Sequence, residues 1–305
     1  MSRLRLVVTG RSGQVARSLI ERADAGNVEI ITLARPEFDL AQPETIAEAI
    51  RLARPDAVIS AAAHTAVDLA ESEPDAAFAI NETGAGLVAR AAASLNVPVV
   101  HLSTDYVFDG LLDRPYREDD ATGPNGVYGA SKLAGERAVA AANPDHAILR
   151  TAWVYSPFGK NFVRTMLTVA GNRPLLTVVG DQTGNPTSAL DIADGVIAVA
   201  RNLVARKSEP DLRGVFHMTG AGEATWAQFA QTIFELSKNA GGPFAEVKAI
   251  TTAEYPTPAK RPANSRLDGD RLQHAHGVRL PHWRASTEQC VARLVPGEFS
   301  GVRSA

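Results

Sequence analysis

Tyr128 and Lys132 stand four residues apart in Tyr128-Gly129-Ala130-Ser131-Lys132, a spacing that puts both on one helix face, one turn apart. An ammonium beside a phenol favours phenolate. The pair is therefore expected to lower the tyrosine's pKa toward working pH, as an acid–base catalyst requires. Ser103-Thr104-Asp105 closes an apolar run and adds a hydroxyl at the carboxyl edge, where doubly wound sheets build their sites. Far upstream, Thr9-Gly10-Arg11-Ser12-Gly13-Gln14-Val15-Ala16 follows another apolar run and opens a helical pattern. There Gly10 permits a tight turn and Gly13 lets the backbone approach a pyrophosphate at the positive helix end. The small Ala16 allows close helix–strand packing. A dinucleotide is expected at this turn. Where an acidic residue would take the ribose 2′-hydroxyl of NAD, the chain has Leu33-Ala34-Arg35. The planar fork of an arginine pairs with a 2′-phosphate, and Arg11 can close on the same group. NADPH is the expected cofactor, with NADH the weaker alternative.

These residues need a frame. Leu4 to Thr9, Val28 to Leu33, Asp56 to Ser60, Val97 to Leu102 and His146 to Arg150 read as strands. Helical patterns run between them: Gln14 to Ala23, Pro43 to Ala53, Pro74 to Ala93 and Asn125 to Ala142. Such alternation with near-continuous apolar strands predicts an α/β fold, a doubly wound parallel (Rossmann) sheet covered on both faces. Beyond Trp153 the elements shorten between prolines, which predicts a smaller, interleaved C-terminal α+β part. Gly214-Val215-Phe216-His217-Met218 reads as a buried strand that returns to the sheet. Thr225 to Lys238 carries Trp226, Phe229, Ile233 and Leu236 at helical spacing, an amphipathic stripe read as core. The expected division is 1–152 for the cofactor domain, with a return near 186–219. The stretches 153–185 and 220–305 are assigned to the second ligand.

Composition excludes several classes. The 305 residues hold 31 Lys plus Arg against 34 Asp plus Glu, a net charge of −3, which offers no general attraction for nucleic acid or an anionic membrane. A single cysteine, Cys290, makes no internal disulfide. No apolar run approaches the roughly 18 residues needed to span a bilayer. A cytoplasmic location is expected.

Further stretches carry a resemblance. They are Ala61-Ala62-Ala63-His64-Thr65-Ala66-Val67-Asp68, Glu71-Ser72-Glu73-Pro74, Ser103-Thr104-Asp105-Tyr106-Val107-Phe108 and Val127-Tyr128-Gly129-Ala130-Ser131-Lys132. Arg150-Thr151-Ala152-Trp153, Asp181-Gln182-Thr183-Gly184-Asn185-Pro186-Thr187, Tyr255-Pro256-Thr257-Pro258-Ala259 and Arg261-Pro262-Ala263-Asn264-Ser265-Arg266-Leu267 extend it through the second half. With these motifs the chain resembles the extended short-chain dehydrogenase/reductase family and, within it, the dTDP-4-dehydrorhamnose reductases. The resemblance implies NADPH-dependent reduction of the C4 keto group of dTDP-4-dehydro-L-rhamnose. By motif, Tyr128 would protonate the C4 oxygen, Lys132 would hold the nicotinamide ribose, and Thr104 would hydrogen-bond the substrate oxygen. Asp105 would touch the sugar and Trp153 line its pocket. Gly10, Gly13, Gln14 and Val15 would meet the pyrophosphate, Asp39 and Leu40 the adenine, and Ala63, His64 and Thr65 the middle of the cofactor. Asp39 reads equally as a helix-entry residue, and His64 receives no proton-transfer role. Arg261 and Arg266 are either partners for the substrate diphosphate or surface groups.

Some relatives bridge two subunits with magnesium through glutamates. The corresponding positions here are Ser18 and Leu190, and Glu288 is the one acidic residue from Ser286 to Val295. No metal is expected, and the chain is expected to be a monomer or a weak, metal-independent dimer. Two other readings stay open. One is another nucleotide-sugar epimerase, dehydratase or reductase of the extended family; the dehydratase is disfavoured because Tyr106 stands where an acid would follow Thr104-Asp105. The other is a non-catalytic NADP-binding regulatory subunit resembling the methionine adenosyltransferase beta subunit.

Overall fold

The computed structural model describes residues 3–299. The chain begins β1 (Leu4–Thr9), α1 (Gln14–Arg22), β2 (Val28–Leu33), α2 (Ile46–Ala53), β3 (Ala57–Ser60), α3 (Val67–Ala70), α4 (Pro74–Phe78), α5 (Ala85–Ser94) and β4 (Val99–Thr104). It continues α6 (Val127–Ala142), β5 (His146–Thr151), β6 (Val154–Tyr155), α7 (Phe162–Ala170), β7 (Leu175–Val179), β8 (Thr183–Gly184), β9 (Thr187–Ser188) and α8 (Ala189–Ala205). Last come β10 (Gly214–His217), β11 (Ala224–Thr225), α9 (Trp226–Asn239), β12 (Glu246–Ile250), β13 (Asn264–Ser265), α10 (Asp270–His276) and α11 (Trp283–Leu294).

Six strands pair in parallel in the order β10-β5-β4-β3-β1-β2. Their side chains are apolar on both faces because both faces are covered. Leu6, Val8 and Ile59 pack under α1 and α8 with Leu19, Ile192 and Val196. Val58 and Val99 face α2, α5 and α6 with Ile50, Val88 and Val139. The doubly wound sheet is as expected, and the run from Gly214 does lie at its edge, beside β5. A second core forms from α7, α9, α11 and the β7–β12 pair around Leu167, Phe229, Ile233 and Val291.

The chain steps from β1 outward to β2 on one side and to β3 on the other. That reversal opens a crevice above the carboxyl ends of β1 and β3. Thr9 Oγ1 fixes its floor by accepting the N–H groups of Ala61 and Ala62, both at 3.0 Å.

Two expected elements differ. The fourth strand runs two residues later than read, because Pro98 lacks an N–H and Val99 starts the ladder. Thr104 is thereby the strand's last residue. The helical stretch from Pro74 is continuous but takes a π turn over Ala79–Gly84. Its cause is a neighbour: a Cβ at Gly135 of α6 would lie 2.0 Å from the Asn81 carbonyl oxygen. The two helices meet backbone to backbone, and the extra residue of the π turn accommodates the contact.

Candidate active site

The glycine turn lies at the crevice. Gly10 has φ +90, open to glycine and costly for other residues, and its N–H donates to the Leu33 carbonyl at 2.7 Å. Gly13 is the N-cap of α1 with no side-chain cap, and nothing lies within 4 Å of where its Cβ would stand. The first turn of α1 therefore presents uncapped N–H groups to open space, which suits an anion. Arg11 and Arg35 are both exposed, and Arg11 Nε reaches Thr32 Oγ1 at 3.4 Å, above the end of β2. The Gln14 side chain is engaged elsewhere, accepting from Ser156 Oγ at 2.8 Å, so its backbone is what it offers. Val15 packs on the sheet core. Asp39 accepts the Ala41 N–H at 3.0 Å in a loop turn and does not cap a helix, and Leu40 is buried against Gly84.

After β3, Ala63, His64 and Thr65 edge the crevice. Asn81 holds this loop by both ends of its amide, accepting from His64 N at 2.8 Å and donating to His64 O at 3.1 Å. The same amide donates to Ser131 Oγ on α6. His64 Nδ1 is buried without a partner among the described residues.

Thr104, Asp105, Tyr128 and Lys132 converge. Thr104 Oγ1 donates to Asp105 Oδ1 at 3.0 Å, accepts the Tyr106 N–H at 3.2 Å and stands beside the Tyr128 phenol. Burial pushes the Asp105 carboxyl up to about 6, with nearby Ser265 and Thr104 opposing the rise. Asp105 Oδ2 is buried without a partner among the described residues. Tyr128 sits in the first turn of α6, with the Tyr106 ring edge-on at 5.6 Å. Lys132 Nζ donates to the Leu102 carbonyl at 2.7 Å and lies 3.3 Å from His101 Nε2. Burial pulls its pKa down to about 8, with Glu136 opposing.

One expectation is corrected here. The Tyr128 phenol is not lowered; burial pushes it up to about 12, with Thr104 opposing and the Asp105 charge adding to the rise. The ammonium of Lys132 is turned to strand β4 by its two acceptors, and burial of the phenol dominates. A phenol held this high stays protonated at neutral pH, which suits a proton donor.

Trp153 has φ 48, rare for so bulky a residue. Its indole stacks on Trp226 at 3.6 Å, nearly parallel at 9°. A Cβ at Gly184 would lie 2.5 Å from the Trp153 ring. Both indoles are half-buried and pack on the second core, so Trp226 keeps the core place read from its spacing while backing Trp153. If Trp153 lines a sugar pocket, as the resemblance implies, Gly184→Ala should push it off Trp226 and raise the KM for that sugar up to about tenfold, the worth of an aromatic pair. NADPH affinity should not change; an unchanged sugar KM would remove Trp153 from the pocket.

The remaining candidates make contacts within the protein, although Arg261 Nη1 is buried without a partner among the described residues. Arg261 Nη2 pairs with Asp68 at 2.7 Å, while Arg266 is held by Asn264 Oδ1 and Glu223. Ser18 is buried and donates to Gln14 O, and Leu190 is buried too. Among the described residues no group of three or more His, Cys, Asp or Glu is gathered as a metal would require. No helix among them is long and apolar enough to cross a membrane.

The chain is similar to known proteins over nearly its whole described length. The chain matches the family described as RmlD substrate binding domain over residues 4–295. It is 54% identical over 292 residues to a dTDP-4-dehydrorhamnose reductase of Sinorhizobium fredii, covering 96% of this chain and 98% of the relative. A crystal structure of a dTDP-4-dehydrorhamnose reductase from Clostridium acetobutylicum superposes with a TM-score of 0.88 at 36% identity, covering 95% of this chain and 99% of that one. The Bacillus anthracis enzyme, solved in complex with NADP, gives 0.87 at 30% identity over the same shares of the two chains. A parallel sheet with an uncapped glycine turn, a Thr–Tyr–Lys cluster at its carboxyl edge and likeness over nearly the full length lead to one assignment: the chain belongs to the dTDP-4-dehydrorhamnose reductase family.

Proposed function

We propose that the protein is an NADP-dependent oxidoreductase that reduces the C4 keto group of dTDP-4-dehydro-L-rhamnose to give dTDP-L-rhamnose. The observation that carries this reading is the convergence of Thr104, Tyr128 and Lys132 beside the crevice of the glycine turn. The open first turn of α1 fits a pyrophosphate, and the exposed Arg11 and Arg35 at the end of β2 fit a 2′-phosphate. NADPH, when bound, supplies the hydride. Gly10, Gly13 and the N–H groups of Gln14 and Val15 hold its pyrophosphate; Asp39 and Leu40 border the adenine; Ala63, His64 and Thr65 line its middle. Lys132 holds the ribose.

Tyr128 gives its phenolic proton to the C4 oxygen as negative charge develops there. Thr104 orients the phenol and shares the substrate oxygen. Asp105, with one carboxylate oxygen unpartnered, accepts a sugar hydroxyl, and Trp153 walls the ring. We assign 1–152 with the return near 186–219 to cofactor binding, and 153–185 with 220–305 to the nucleotide sugar.

The test is direct. Mixed with NADPH and dTDP-4-dehydro-L-rhamnose, the protein should consume NADPH and form the reduced sugar. Absence of turnover with intact NADPH binding would favour the regulatory reading instead. Arg35→Ala should cut the preference for NADPH over NADH by roughly 10- to 100-fold, the worth of a hydrogen bond to a charged group; equal loss with both cofactors would end the 2′-phosphate assignment. Turnover should also proceed in EDTA, because Ser18 and Leu190 offer a hard cation no carboxylate. Inactivation by EDTA that magnesium reverses would overturn that expectation.

A further inference from the structure

We propose that His101 is a positioning residue for Lys132, the second of two acceptors that pin the ammonium so that its remaining N–H faces the cofactor; this rests on the placement of Lys132 at the nicotinamide ribose. His101 lies within β4, three residues before Thr104, and is 1% exposed. Its ring bridges two elements: Nδ1 is 3.0 Å from Ser60 Oγ on β3, and Nε2 is 3.3 Å from Lys132 Nζ on α6. Ser60 and His101 are register partners across the β3–β4 ladder, so the ring's inner edge is held by the sheet.

The partners settle the proton positions. Burial, then the nearby Lys132 charge, hold the imidazole well below its ordinary pKa, so the ring is neutral, with one donor and one acceptor nitrogen. A lysine ammonium only donates. Nε2 therefore accepts from Lys132, and Nδ1 carries the hydrogen that Ser60 Oγ accepts.

A lysine ammonium has three N–H groups on a flexible four-carbon stem. One donates to the Leu102 carbonyl at 2.7 Å and a second points to His101 Nε2. With the carbonyl alone the head group would swivel about one bond. With both acceptors it is fixed before the cofactor arrives, which saves ordering the side chain at binding. The third N–H has no partner among the described residues and is left for a ribose hydroxyl.

Coupling separates this role from simple packing. His101→Leu removes the acceptor, His101→Gln returns one near the same depth, and each is made alone and in a Lys132→Met background. NADPH affinity is read by fluorescence titration, and kcat and KM by turnover. His101→Leu is expected to weaken NADPH binding roughly tenfold, a typical coupling between residues in contact. His101→Gln should recover most of that loss. In the Lys132→Met background His101→Leu should cost nothing further. The same loss in both backgrounds, or a glutamine as poor as the leucine, would overturn the proposal. Should the leucine variant fail to fold, His101→Asn, which keeps a partner for Ser60 but falls short of Lys132, takes its place. If the wild type binds NADPH yet does not reduce the sugar, the proposed reaction fails while the binding comparison still decides the role of His101.

Discussion

Tyr128→Phe is expected to lower kcat/KM by about 10²- to 10⁴-fold, the usual contribution of a positioned general acid, with NADPH affinity nearly unchanged. The substitution removes one hydroxyl and little else. The ring keeps its edge-on contact with Tyr106, so the first turn of α6 has no reason to move. Thr104 Oγ1 retains Asp105 and the Tyr106 N–H as partners, so no buried donor is orphaned. The ammonium of Lys132 is held by the Leu102 carbonyl and His101, which leaves the ribose side of the site as it was. What is lost is the proton for the C4 oxygen, needed only as charge develops there. The loss should therefore fall on kcat and leave cofactor binding alone. Steady-state turnover together with an NADPH titration checks it. A variant that keeps a tenth or more of wild-type kcat would mean that the proton comes from another group.

The readable parts of this site were those set by local spacing. Tyr128 and Lys132 share a helix face wherever that helix sits, and the turn at Gly10 and Gly13 follows from β1 and α1 being adjacent in the chain. Contacts between distant segments were not readable. Lys132 was expected to act on the nearby phenol, but its head group is drawn to β4 by Leu102 and His101. Depth of burial then raises the tyrosine instead of lowering it. The π turn at Ala79–Gly84 has no mark in its own residues, because its cause is Gly135 on another helix. Trp226 fits a core stripe at helical spacing and packs on that core; its partial exposure and its stack on Trp153, which has positive φ, come from the fold. Arg261 and Arg266 each meet a carboxylate that the fold brings near, Asp68 and Glu223, while Arg261 Nη1 is buried without a partner among the described residues.

Glu136→Leu is expected to destabilise the protein by about 3–5 kcal/mol, the cost of stranding a buried charge. Arg150 on β5 and Glu136 on α6 form a two-point ion pair, Nη2 to Oε2 at 2.7 Å and Nε to Oε1 at 2.9 Å, each residue 4% exposed. Ser103 Oγ donates to the same carboxylate at 2.5 Å, and the guanidinium lies 5.0 Å from the centre of the Phe108 ring. The buried His217 offers no relief, since burial and the Arg150 charge hold it down to about 3, hence neutral. Without Glu136 the guanidinium keeps its charge and loses the partner that offset its desolvation. For a chain of this size that loss lowers Tm by roughly 5–8 °C, readable by thermal unfolding. Glu136→Leu with Arg150→Met removes both charges and should recover most of the loss. A double variant as unstable as the single one would place the cost in packing instead. Through Ser103 the pair joins the strand that ends in Thr104 to the helix that carries Tyr128 and Lys132. Glu136 also opposes the fall of the Lys132 pKa. The rescued double variant should therefore regain its fold before its full activity.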